Sequence, residues 1–103
     1  MSIITLNENG QQVIADRVFE NIARIAVSKI KGVFPPKKDN DFISLTIKDD
    51  EISILVTARL LAGVDVVKTC TKIQNAIKEA IAEQTNIECK IINIEVQGFM
   101  INE

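Results

Sequence analysis

Apolar residues recur at helical spacing in two stretches of this chain and at alternate positions in several others, and the change of period marks out the elements. From Asp16 onward, Val18, Ile22, Ile25, Ala26 and Ile30 recur every three or four residues, with Phe19 and Ala23 widening the stripe, which predicts an amphipathic helix. Its end is marked by Gly32, suited to a left-handed residue after the last turn, by Lys29 and Lys31 at the negative end of the dipole, and by Pro35-Pro36, which forbid continuation. The polar run KKDND then reads as a loop. Beyond it the period becomes two. FISLTIK places Ile43, Leu45 and Ile47 on one face, DDE turns the chain, and ISILVTARL returns with Ile52, Ile54, Val56, Ala58 and Leu60 inward. Ser53, Thr57 and Arg59 make the other face of this hairpin mostly polar, so one side of the sheet is expected to meet water.

Gly63 breaks the strand and Asp65 is a good N-cap for a second helix with Val66, Cys70, Ile73, Ile77, Ala80 and Ile81 as its buried stripe, ending near Gln84. Asn86 stands where a left-handed cap is wanted. Ile87 to Gln97 reads as the last strand. It changes faces halfway, through Ile87, Cys89 and Ile91 and then through Ile92, Ile94 and Val96. Either a bulge or sharp twist at Ile91-Ile92 turns both halves toward the helices, or a partner covers the strand's second face. At the other end of the chain, Ile3 to Leu6 alternates weakly, NENG carries turn residues and Val13-Ile14 resumes the apolar character, giving two short extended pieces around a turn.

These elements predict one α+β domain over residues 1–103, with 1–9 and 99–103 expected to be loosely ordered. The order is β-α-β-β-α-β in two layers, both helices packed on one face of a small mixed or antiparallel sheet. A split βαβ arrangement with right-handed crossovers is the economical topology.

Composition narrows the chemistry. At 103 residues and 47% hydrophobic the chain can bury a single core, and a net charge of −2 argues against general attraction to nucleic acid or anionic lipid. MSIITLNENG carries no secretory pattern, and ISILVTARLLAGVDVV is interrupted by Arg59 and Asp65 and is shorter than the roughly 20 residues that span a bilayer. The expectation is a cytoplasmic protein without direct membrane insertion. There is no histidine, so Cys70 and Cys89 lack the companions of a zinc site, and they read as reduced core thiols. Asp49, Asp50 and Glu51 read as solvated turn residues. No phosphate-cradling glycine motif occurs, so no catalytic, cofactor or metal residue is assigned and no cofactor is expected. Lys29, Lys31, Lys37 and Lys38 gather near one loop, diluted by Asp39 and Asp41. They leave a small nucleic-acid-binding α/β domain as the alternative, although the strands lack aromatics for stacking on bases.

The stretch GVDVVKTCTKIQNAIKEAIAEQTNIECKIINIEVQGF resembles the C-terminal half of the alkaline shock protein family, also described as envelope stress response proteins. The family pattern of a glycine, a small capping residue, a long amphipathic helix, a T-G-like end and a strand read V-x-V-x-V-x-G is met by Gly63, Asp65, Thr85, Asn86, Ile92, Ile94, Val96 and Gly98. Asn86 replaces the usual glycine. GQQVIADRVFENIARIAVSKIKGV is similar to the family's short strand, I-A-x-I-A helix core and closing G-V, here Ile22, Ala23, Ile25, Ala26, Gly32 and Val33. The resemblance covers nearly the whole chain. It implies a non-enzymatic cytoplasmic interaction or scaffold protein of cell-envelope homeostasis in Gram-positive-type bacteria. It also implies protein partners, self-association among them, and location at the inner face of the membrane through a membrane-anchored partner.

The tail GFMINE places Phe99, Met100 and Ile101 at a chain end. Either Phe99 folds back on the sheet and the rest frays, or these residues, with Leu55 and Leu61 on the sheet, form a protein interface.

Overall fold

The computed structural model describes residues 2–7, 10–36, 42–49 and 51–101, with side-chain surroundings described from Ile14 onward. The loop 37–41 with Lys37, Lys38, Asp39 and Asp41, Asp50 of the acidic turn, residues 102–103 and the side chains from Ile3 to Val13 lie outside the described residues. The element order is β1 (Ser2–Asn7), β2 (Gly10–Ala15), α1 (Asp16–Ser28), β3 (Val33–Phe34), β4 (Ile43–Lys48), β5 (Glu51–Leu61), α2 (Val66–Thr85) and β6 (Cys89–Met100).

β5 organises the main sheet. β4 folds back antiparallel on it, from Ile43 opposite Val56 to Lys48 opposite Glu51, and Asp49 takes φ 52° in the tight turn between them. β3 pairs antiparallel with the far end of β5 on the same edge, and β6 runs parallel to β5 along its other edge. The sheet is therefore mixed, with both helices on one face, an α+β two-layer fold. The inward β5 residues Ile52, Ile54, Val56 and Ala58 lie in one buried cluster with Ile43 and Ile47 of β4, Phe19, Ile22, Ala23, Ala26 and Val27 of α1, Ile73, Ile77 and Ile81 of α2, and Cys89 of β6.

Two sequence expectations need correction. The first strand does not enter the main sheet: β1 and β2 form a separate antiparallel hairpin that touches α1, and β5-α2-β6 is a direct parallel unit rather than half of a split βαβ. A two-stranded hairpin satisfies its own inner-edge hydrogen bonds, so hydrophobic pattern alone did not fix which sheet it would join. The second correction concerns α1, which ends at Ser28 and is rotated. Val18 and Ile25 are 40% and 56% exposed, whereas Phe19, Ile22, Ala23, Ala26 and Val27 are buried. Two stripes overlap in this sequence, and the one containing Phe19, the largest apolar side chain, takes the core. Gly32 does have a left-handed backbone, φ 82°, but in the turn after the helix, where its carbonyl accepts from the Leu61 N–H at 2.8 Å.

α2 is built as its sequence indicates. Asp65 accepts from the Lys68 N–H at 3.0 Å, Asn86 takes φ 61°, and Ile73, Ile77 and Ile81 face the core with Thr69, while Val66 at the start is 37% exposed. No helix of the described residues is long and apolar enough to cross a membrane.

Candidate functional site

Residues side by side on adjacent strands share a face, so the register assigns each candidate its side. Ser44, Leu55 and Asn93 stand in one row of the helix-free face, Thr46, Ser53 and Ile91 in the next, and Leu61 lies beside Met100 at the far end. Leu55 and Ile91 are diagonal neighbours across β5 and β6, 40% and 48% exposed, with the short polar side chains of Ser44, Thr46, Ser53 and Asn93 in the same two rows. Arg59, also on this face, donates from Nε to the Pro35 carbonyl at 2.9 Å and pins the chain leaving β3.

The faces of β6 are set by two bulges. Ile52 pairs with Cys89 but Ser53 with Ile91, so Lys90 is an extra residue; Ala58 pairs with Val96 but Arg59 with Gly98, so Gln97 is another. The first bulge answers the change of face in the sequence. It lies one residue earlier than Ile91-Ile92, keeps Cys89, Ile92, Ile94 and Val96 on the helix side, and leaves Ile91 outside. The second bulge turns Phe99 to the helix side beside Leu60, beyond the cover of the core, where it stays 55% exposed.

The five candidate interface residues are thus not one patch. Leu55, Leu61 and Met100 share the helix-free face, Phe99 points to the opposite one, and Ile101 follows the strand at 81% exposure. Nor is the tail separate from the sheet: β6 continues past Gln97 through Met100, whose carbonyl accepts from the Ala62 N–H at 2.8 Å.

No sequence pattern announced a groove of about 360 Å³ beside the Lys90 bulge, between α2 and the outer edge of β6. Gln74, Asn75 and Lys78 line it from the helix, and Cys89, Lys90, Ile91 and Ile92 from the strand. Gln74 donates from Nε2 to the Ile92 carbonyl at 2.9 Å, and the Lys78 ammonium lies 4.0 Å from the Glu88 carboxylate, both well exposed. The paired isoleucines Ile91-Ile92 signal the neighbouring bulge, not the groove itself.

The chemistry of the thiols is restrained. Burial pushes Cys89 up from 9.0 to about 11, against smaller downward pulls from the backbone at Ile91 and the charge of Lys78. Its sulfur lies 3.7 Å from both the Ile52 and the Ile91 carbonyl, alternative acceptors for its single S–H. Burial also raises Cys70. Neither is a thiolate at neutral pH, and both are free cysteines. Among the described residues no group of three or more acidic or cysteine side chains is placed to hold a metal ion.

Comparison with known proteins bears on the whole of this arrangement. The uncharacterized protein YqhY of Bacillus subtilis (strain 168) is 26% identical over 107 aligned positions, which take in 90% of this chain and 79% of the relative. The model of the alkaline shock protein family, described by a cell envelope-related function, matches residues 35–101, from the end of β3 through β4, β5 and α2 to the end of β6. The resemblance carried by the helix caps and the last strand therefore holds, and the chain belongs to the alkaline shock protein family, whose function is related to the cell envelope.

Proposed function

We propose that this chain is a non-enzymatic interaction module, a scaffold that serves the cell envelope from the cytoplasm through protein–protein contacts and is held near the membrane by an anchored partner. The observation that carries the reading is the helix-free face of the sheet. Leu55 and Ile91 stand exposed there as diagonal neighbours, surrounded by Ser44, Thr46, Ser53 and Asn93. An apolar centre with a rim of small polar groups is the usual make-up of a protein-binding surface. The family's envelope-related function supports placing that surface in envelope biology.

The test is in-cell crosslinking of a tagged chain at native level, followed by identification of what is joined to it in the membrane and soluble fractions. The double variant Leu55→Ser/Ile91→Ser should lose specific crosslinked envelope proteins while keeping its melting temperature. Identical crosslinks in the two proteins would exclude this face as the binding surface. If neither protein gave any crosslinked partner, the scaffold reading would fall.

A further inference from the structure

β6 offers a second surface of a different kind. It is a 12-residue strand with β5 on one edge, and among the described residues no strand pairs with the other. Long open edges are normally blunted by proline, shortness, charged side chains or β-bulges, because their free N–H and C=O groups invite another strand, so only the bulge-free part of an edge is open to pairing. β6 contains no proline, and its two bulges bound a regular run from Ile91 to Val96.

The groove meets only the start of this run, at Ile91 and Ile92. The Gln74 amide at 2.9 Å from the Ile92 carbonyl occupies the place of a partner strand's N–H, so this carbonyl points outward and not toward β5. In a strand, the N–H and C=O of alternate residues face the same edge, so Ile94 and Val96 continue the outward row that Ile92 begins. At the bulged end the lining supplies two ammonium groups, Lys78 and Lys90, and no carboxylate, in a chain where Asp and Glu outnumber Lys and Arg, 14 to 12. Glu88, 4.0 Å from Lys78, offsets part of that charge from outside the lining.

We infer that the open edge of β6 takes a short extended segment of a partner protein as an added strand along Ile91 to Val96, one end of it entering the α2–β6 groove with a carboxylate held between Lys78 and Lys90. This deepens the interaction-module reading and rests on it. Open backbone groups select an extended polypeptide over a compact ligand, the paired ammonium groups select an acidic one, and the bulges limit the paired length to about six residues. On binding, the Gln74 amide gives up the Ile92 carbonyl to a backbone N–H of the incoming strand.

The experiment uses the whole chain, labelled with ¹⁵N and titrated with acetylated hexapeptides of alternating valine and threonine. One glutamate is moved through the positions, and each peptide is made with a free and with an amidated C-terminus. The expected result is saturable shifts confined to the amides of 91–96 and the Gln74 side chain. Binding should weaken about tenfold when the carboxylate that the site holds is neutralised, by glutamine for glutamate or by C-terminal amidation, or when Lys78→Ala/Lys90→Ala is used, and it should vanish when alternate peptide nitrogens are methylated. Equal binding by the amidated peptides would assign the carboxylate to a side chain, and its loss on amidation would assign it to a C-terminus; both support the site. No shift with any peptide at about millimolar concentration would overturn it, because strand pairing with a matched charge should register in that range. Shifts reproduced by phosphate alone would replace it with a small-anion site, and concentration-dependent shifts at 91–96 without peptide would replace it with a second copy of the chain. If the peptides fail while Leu55→Ser alone, at a residue outside the groove, still removes the crosslinks, this site falls and the interaction-module reading stands.

Discussion

Ile77 and Cys89 show how differently two buried side chains serve the same core. Ile77 has no exposed surface and lies mid-helix between Ile73 and Ile81, so truncation removes apolar contacts and leaves a cavity that the rigid sheet cannot fill. Ile77→Ala should cost about 2–5 kcal/mol in urea unfolding; a loss below about 0.5 kcal/mol, the range of surface changes, would show that the helix is turned otherwise. Cys89 is equally enclosed, at 1% exposure, and its chemistry is set by that enclosure. With a folded pKa of about 11 against the ordinary 9.0, the unfolded chain ionises first, so stability is full below pH 9 and falls as pH rises from 9 toward 11. Wild type compared with Cys89→Ala should therefore show an extra loss of stability between those pH values in the parent alone. Below that range, at about pH 8, iodoacetamide should modify half-buried Cys70 well before Cys89.

Among the elements, α2 was legible almost to its ends, because Asp65 and Asn86 are capping residues with local mechanisms: a side-chain acceptor for an orphan N–H, and tolerance of a left-handed backbone. β6 was legible in character but not in register. Its bulge at Lys90 reconciles an inward Cys89 with an inward Ile92, and removal of that one residue leaves regular alternation of Cys89, Ile92, Ile94 and Val96 with no loss of inward groups. Deletion of Lys90 should thus retain the native far-UV circular dichroism and a cooperative melt. Collapse of the fold on this deletion would show that the bulge is required by the α2–β6 connection rather than by the pattern. α1 is the case where helical periodicity misled, since Val18 and Ile25 fit the spacing as well as Phe19 and Val27 do, and only the position of the sheet and α2 ranks them.

For the molecule as a whole, the β1–β2 hairpin stands apart from the four-stranded sheet and meets the rest chiefly through the start of α1. Ile14, at its end, does pack against the core. Removal of residues 1–13 should therefore leave a cooperatively folding protein whose melting midpoint falls by no more than about 8 °C, the shift of roughly 1 kcal/mol in a domain of this size. A non-cooperative melt would mean that the hairpin is part of the core. The family match beginning at residue 35 covers the β4-β5-α2-β6 unit, which carries both the exposed face and the groove.

Local chemistry and periodicity were enough for two amphipathic helices, the β4–β5 hairpin with its inward row from Ile52 to Leu60, the caps, the α+β class and the family, because each depends on residues close together in the chain. The exclusion of β1 and β2 from the main sheet, the parallel pairing of β6 on β5, the rotation of α1 and the scattering of Phe99, Ile101 and Leu55 over different surfaces came from the packing of distant segments. The groove belongs to this second group: Gln74 and Ile92 are 18 residues apart, and nothing in either neighbourhood places an amide on a strand's open carbonyl until α2 lies across β6.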